Sequence, residues 1–334
     1  MSNAFSGIDS LHTRRSWLKA AGVLMAGTSL ASGLRTVKAA DADAAAVGGR
    51  APRMQIGLLL GTISRPTFAA RLDAVKACGL DCVQISMDCA GMPAMPDEIA
   101  PEQAARIRRE AAERGIAIVS VSGTFNMSHP DAEYRRAGLR RLRVLAGACA
   151  AMGTSKIHLC TGTRDRDNMW RRHPDNDSPE AWRDMVACVR EAADIARQAD
   201  VVLAFEPEVN NVVDSAKKSR RLMDEVGSPH LKVTIDGANI FHAGELARMR
   251  EVLDQAFALL GKDIVLAHAK DLSRDGDAGH EPAGHGKLDY DRYLSLLGAS
   301  GFRGPLLLHG LSESQVPGCV AFLREKLANV SAAK

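Results

Sequence analysis

The sequence predicts an α/β fold, a closed (β/α)8 barrel forming a single domain behind an N-terminal signal peptide. Three observations carry this expectation. Short apolar runs alternate eight times with helical patterns over about 280 residues, a typical barrel length. The first run is followed by Thr62-Ile63-Ser64-Arg65-Pro66, without the glycine-rich phosphate turn that would favour an open doubly wound sheet. Polar residues gather where the last four runs end, the place where barrels put their chemistry.

Residues 1–42 read as the signal peptide. Thr13-Arg14-Arg15-Ser16-Trp17-Leu18-Lys19 supplies the positive region, Ala20 to Leu34 the uncharged apolar region, and Ala40-Asp41-Ala42 an A-x-A cleavage pattern. The paired arginines resemble a twin-arginine signal, with Trp17 where Phe is usual. The stretch is too short for a stable membrane span. Periplasmic export of an already folded chain is expected, which suits a metal loaded beforehand. Residues 43–53 read as a flexible linker and 54–334 as the barrel.

The eight runs begin near Gln55, Asp81, Ile116, Ser155, Val201, Leu231, Asp263 and Gly304. Their length and β-branched content suit parallel strands buried on both faces. Between them the pattern is helical. Ser178-Pro179-Glu180 offers an N-cap, a first-position proline and a first-turn acid. The helix that follows carries Trp182, Met185, Val186, Val189 and Ile195 on one apolar stripe. Gly79, Gly115, Gly153 and Gly301 fall where helices should stop.

The 334 residues are 46% hydrophobic and 25% charged, which excludes disordered and multi-span membrane classes. Lys and Arg number 43 against 40 Asp and Glu. Five of those bases and two of the acids lie in residues 1–42, so 38 of each sign remain in the body. A body without net charge has little pull on nucleic acid or anionic lipid, and no nucleic-acid partner is expected. Seven cysteines form no C-x-x-C pair, which argues against a disulfide framework or a Cys-rich metal site. They read as small buried apolar side chains.

The fifth run ends Phe205-Glu206-Pro207-Glu208, the sixth Ile235-Asp236-Gly237-Ala238-Asn239, the seventh Ala267-His268-Ala269-Lys270-Asp271 and the eighth Leu308-His309-Gly310. Strand alternation puts Glu206 on the face of Ala204, His268 on that of Leu266 and Lys270, and His309 on that of Leu307. If those faces point inward, Glu206, Asp236, His268 and His309 converge. Each alone has an ordinary structural explanation; four on consecutive strand ends favour a shared ligand. Charged groups at an apolar barrel mouth are costly unless paired or metal-bound. One divalent metal ion would satisfy them, and mixed carboxylate and imidazole donors suit Mn, Zn, Co or Fe better than Mg or Ca. Lys270 either faces the same cavity or pairs with Glu208.

Other strand ends add substrate-binding candidates. The third run leads into Thr124-Phe125-Asn126-Met127-Ser128-His129-Pro130-Asp131. The fourth carries His158, ends Thr161-Gly162-Thr163-Arg164-Asp165 and leads into a long polar loop with Trp170. An aromatic on such a loop is where a sugar would stack. Asn126, His129, Arg164, Trp170 and Asn239 form this set. Gly284-His285-Gly286 reads as a flexible turn rather than a phosphate cradle.

These motifs resemble the sugar phosphate isomerase/epimerase group, the xylose-isomerase-like TIM barrels. The resemblance rests on NMSHPD at 126–131, CTGTRD at 160–165, FEPE at 205–208, IDGAN at 235–239, HAKD at 268–271 and GHGKLDYDRYL at 284–294. It implies a metal site of Glu206, Asp236 and His268. The family's fourth ligand is commonly a Glu at the eighth strand, where this chain has His309. In ketose 3-epimerases the fifth- and eighth-strand glutamates also move protons, so His309 departs from that two-carboxylate scheme. Those epimerases carry a His three residues after the Asp; here that place is Asn239.

The resemblance implies a metal-dependent sugar isomerase or epimerase acting on a free sugar or keto-sugar. It abstracts a proton next to a carbonyl, through an enediolate, with Glu208, Lys270 or His309 as the acid–base group. The alternatives are a lyase or dehydratase on a keto-sugar or inosose, an apurinic-site endonuclease, and a non-catalytic envelope sugar-binding protein. The endonuclease needs three zinc ions and more inward histidines than the strand ends supply. The sequence leaves the oligomeric state open.

Overall fold

The computed structural model describes residues 54–332. The expected leader 1–42, the linker 43–53 and the last two residues lie outside the described residues. Eight parallel strands close into a ring: β1 (Ile56–Leu59), β2 (Cys82–Ile85), β3 (Ala117–Ser122), β4 (Lys156–Cys160), β5 (Val202–Glu206), β6 (Leu231–Asp236), β7 (Ile264–Asp271) and β9 (Leu306–Leu308). Closure comes from β1 pairing with β9 (Leu58 opposite Leu308) and β7 pairing with both β6 and β9. The eight predicted runs are these eight strands.

Helices α1 (Phe68–Ala77), α2 (Pro101–Ala112), α3 (Ala132–Met152), α4 (Pro179–Ala199), α5 (Ala216–Val226), α6 (Met249–Leu260), α7 (Tyr290–Ala299) and α8 (Val316–Ala332) alternate with the strands. Ser178 caps α4 by accepting from Ala181 N at 3.1 Å, with Pro179 in the first turn, as its sequence indicates. The stripe Trp182, Met185, Val186, Val189 and Ile195 is buried. Gly79, Gly115, Gly153 and Gly301 all have positive φ just beyond helix ends. All seven cysteines are free thiols, six of them buried, so no bridge forms.

Two apolar layers build the core. The larger lies between helices and strands. The smaller fills the barrel with Cys82, Ala204, Leu266 and Leu307, all fully buried. These come from β2, β5, β7 and β9. Gly57 of β1 also faces inward, because a Cβ there would collide with Cys82 and Leu307. Ala204, Leu266 and Leu307 are the residues whose faces Glu206, His268 and His309 were expected to share, so those faces do point into the barrel.

One element is not in the sequence reading. After β7 the chain folds back as β8 (Glu281–Pro282), antiparallel to Lys270–Asp271. The Asp271 carboxylate holds this excursion by accepting from Leu272 N (2.9 Å), Leu288 N (2.8 Å) and Gly284 N (3.1 Å). The Gly284-His285-Gly286 turn is therefore clamped to β7, and a Cβ at Gly286 would strike that carboxylate.

Candidate active site

Glu206 on β5 and His268 on β7 stand two positions beyond Ala204 and Leu266 of the apolar plug, Asp236 ends β6, and His309 follows β9 two positions beyond Leu307. Register places Asp236 beside His268, and His268 beside Leu307. Glu206 and Asp236 are 2% and 0% exposed, His268 is fully buried and His309 partly so. Tyr293 of α7 reaches the strands from outside and donates towards His268 O (3.0 Å) and Ile235 O (3.2 Å), fixing the backbone behind Asp236 and His268.

The four side chains named from the strand ends are brought together, and a fifth joins them. His268 Nδ1 lies 3.1 Å from Glu206 Oε2, and His158 Nε2 lies 3.4 Å from the same oxygen. His268 sits between two other rings, with centroids 5.0 Å from His158 and 5.1 Å from His309. Among the described residues, His158, Glu206 and His268 offer ligand atoms within 4.8 Å of one another, and so do Asp236, His268 and His309. Asp236 Oδ2, His268 Nε2 and His309 Nδ1 are buried without a hydrogen-bond partner, and His268 Nδ1 has only the Glu206 oxygen beside it. Lys270 Nζ approaches Asp236 Oδ2 only to 3.6 Å. Unpartnered buried donors and acceptors are rare and ask for a missing group. The set of carboxylate oxygens and imidazole nitrogens fits a divalent cation.

Burial pushes the Asp236 carboxyl up, and Lys270 only partly offsets it. Burial would raise Glu206 too, but His268, His158 and Lys270 beside it hold it well below the usual carboxylate range. Lys270 is buried as well, yet Asp236, Glu206 and Glu208 around it outweigh that and keep it protonated. Burial lowers His158 to about 3 and His309 far below its ordinary value, so both rings are neutral. Glu208 is raised to about 7, mainly by burial, with Asn210 N–H pulling the other way. Its carboxylate accepts from Asn210 N (2.9 Å) and from the Asn211 side chain (2.5 Å).

The cluster opens into a cavity of about 590 Å³. Glu206, Glu208, Lys270, His309, Asn239 and Trp170 all line it. Lys270 thus faces the cavity, and its carboxylate partner is Asp236 rather than Glu208. Asn239 donates to Glu206 Oε1 and accepts from Gly279 N at 2.8 Å, joining the cluster to the loop after β7. Trp170 is 51% exposed at the rim.

Three substrate-binding candidates are placed elsewhere. Asn126 braces two loops, accepting from Ser128 N and Thr163 N and donating to Asp165 O. His129 bonds Arg166 O and stacks on Tyr134. Arg164 pairs with Asp184 at 2.8 Å. None of the three is among the residues that line the cavity. Their polar groups are consumed by turns that follow the strands. His158 stands on the fourth run in the sequence analysis without a role assigned to it. Asp277 and His280, which also line the cavity, lie in the unrecognised excursion after β7.

Comparison with known proteins agrees with this architecture. A family model described as xylose isomerase-like TIM barrel matches residues 72–325. The L-ribulose-5-phosphate 3-epimerase UlaE of Escherichia coli is 24% identical over 248 residues, spanning 73% of this chain and 82% of that protein. The 3-keto-D-glucoside 4-epimerase YcjR from Escherichia coli superposes with a TM-score of 0.64 at 17% identity, over 82% of this chain and all of the other. A xylose isomerase-like TIM barrel protein from Mycobacterium smegmatis, solved with magnesium, gives 0.64 at 18% identity over 83% of this chain and 98% of the other.

Proposed function

The chain belongs to the xylose isomerase-like TIM barrel family, and on that premise we propose that it is a metal-dependent sugar isomerase or epimerase. It moves a proton next to a carbonyl of a free sugar or keto-sugar. The observation that carries this reading is the buried carboxylate–imidazole cluster, with its unpartnered atoms, on a cavity that also exposes Glu208 and Lys270. Glu206, Asp236, His268 and His309 would hold the cation. When bound, it supplies Lewis acidity towards a carbonyl oxygen.

The chain's own groups divide the proton work. Glu208, titrating near 7, takes the proton from the carbon beside the carbonyl. The electron pair left behind moves into the carbonyl, giving an enediolate. Lys270, which lines the same cavity, is the group placed to return a proton. Neutral His309 faces the cluster with an unpartnered Nδ1 and acts as a ligand, not as a base. Return at the neighbouring carbon isomerises; return on the opposite face epimerises. Expulsion of a β-substituent instead would make the enzyme a lyase, and His309 in place of a second mobile carboxylate favours that as the alternative.

The charge of the cavity supports an unphosphorylated substrate. Asp88, Asp277, Glu206 and Glu208 line it, and Lys270 is the single Lys or Arg among the lining residues. That lysine lies 3.6 Å from Asp236 Oδ2. A phosphate dianion would meet one lysine among four carboxylates there, although the Escherichia coli relative is named for a sugar phosphate. Trp170 offers a sugar a stacking face. We also propose a periplasmic site of action, on the leader pattern at 1–42. Replacing Glu206 or Asp236 by Ala should abolish metal content and turnover together. Variants that lose the metal but keep full turnover would reject the proposal.

A further inference from the structure

We propose that His158 is a direct ligand of the cation, alongside Glu206 and His268. The proposal rests on the metal-dependent reading above and extends it to a residue on β4 that the strand-end pattern did not assign. The argument is one of tautomer. Thr234 Oγ1 donates its proton to Ala204 O at 3.1 Å. A hydroxyl has one proton, so towards His158 Nδ1, also 3.1 Å away, it presents a lone pair. His158 Nδ1 must therefore carry the ring proton. Its Nε2 is then a bare lone pair, aimed into the cluster, 3.4 Å from Glu206 Oε2.

Two lone pairs, one on an anionic oxygen, do not face each other in a buried site without something positive between them. The neighbour that might relieve Nε2 is the Cys160 thiol, at 3.8 Å. A thiol is a weak donor; His268 Nδ1, 3.1 Å from Glu206 Oε2, can serve that oxygen but not His158 Nε2. A cation answers both atoms, and His268 completes a group of three within 4.8 Å. Thr234 is then a positioning residue. It fixes the tautomer that a ligating His needs, as outer hydrogen bonds do in metal sites.

The consequence is metal choice. Magnesium prefers oxygen donors and keeps its waters, whereas a second imidazole beside His268 favours zinc, iron, cobalt or their neighbours. This chain is thereby set apart from the magnesium-bound relative of the same fold.

The test is titration of the metal-free full-length protein with cobalt(II), read by its visible ligand-field bands. Wild type should bind one equivalent that millimolar magnesium does not displace. His158→Gln should bind at least about 100-fold more weakly, with altered bands, and Thr234→Val about 10–100-fold more weakly with the same bands. Nitrogen-15 NMR of wild type should show the His158 Nε2 resonance shifted by zinc, which guards against a variant that fails to fold. Wild-type affinity and bands in His158→Gln, or an unshifted Nε2, would overturn the assignment while leaving the metal-dependent reading intact. An intense near-ultraviolet thiolate band that disappears in Cys160→Ala would also overturn it. No cobalt binding by wild type would sink both.

Discussion

Glu208 gives the sharpest handle on the chemistry. Its carboxyl titrates near 7 in the folded chain against an ordinary 4.5, chiefly because it is buried. A carboxyl raised by folding favours its protonated form there. Its ionisation therefore erodes stability as pH rises from about 4.5 to about 7, and the cost is constant above. Between pH 5.5 and 8.5 linkage gives a loss of about 2 kcal/mol. Glu208→Gln removes that ionisation. The amide loses the bond from the Asn211 side chain, but that loss does not vary with pH. In metal-free protein the variant should therefore gain about 2 kcal/mol on wild type across that interval, measured by urea unfolding at both pH values. The same group sets the rate. As a base it must be ionised, so kcat/KM should rise with pH to a plateau at or above about 7. A bound cation would move that inflection lower by favouring the carboxylate. Glu208→Gln should lose the acidic limb and about 10²–10⁴ of the rate. A variant with wild-type rate and an unchanged acidic limb would refute the assignment of Glu208 as base.

Asp271→Ala should unclamp the β7–β8 excursion: two buried N–H groups and one part-buried one lose a charged acceptor, for about 3 kcal/mol in urea unfolding at unchanged slope. Trp170→Ala, at an exposed rim position, should leave unfolding unchanged and raise KM about 3–10-fold with little effect on kcat. Arg14→Lys with Arg15→Lys should leave the full-length chain in the cytoplasm, as read by cell fractionation; normal periplasmic recovery would remove the twin-arginine reading.

The barrel was legible because parallel strands buried on both faces leave unbroken apolar runs, and those runs mark all eight strands. The convergence of Glu206, Asp236, His268 and His309 was legible for a related reason. Alternation along a strand carries over from Ala204, Leu266 and Leu307, which fill the barrel, to the polar residue two positions on. Legibility stopped where the pleat stopped. Asn126, His129 and Arg164 sit just past strands, where direction is set by turn hydrogen bonds that no periodicity encodes. His158 was underweighted because its role depends on Thr234 and Glu206, 76 and 48 positions away in the chain. The excursion after β7 reads as a polar loop, and only the Asp271 carboxylate, satisfied from three directions, reveals it as built structure.

The account's central claim is that a cation held by this cluster is needed for proton transfer at a sugar carbon. The most direct measurement is NMR in deuterated water on free and 3-keto sugars, with the purified protein first assayed for metal, then stripped and reloaded. The expected result is one transition-metal ion per chain and deuterium entering at the carbon beside the carbonyl, ceasing on removal and returning on reloading. Undiminished exchange by the stripped protein would contradict the account.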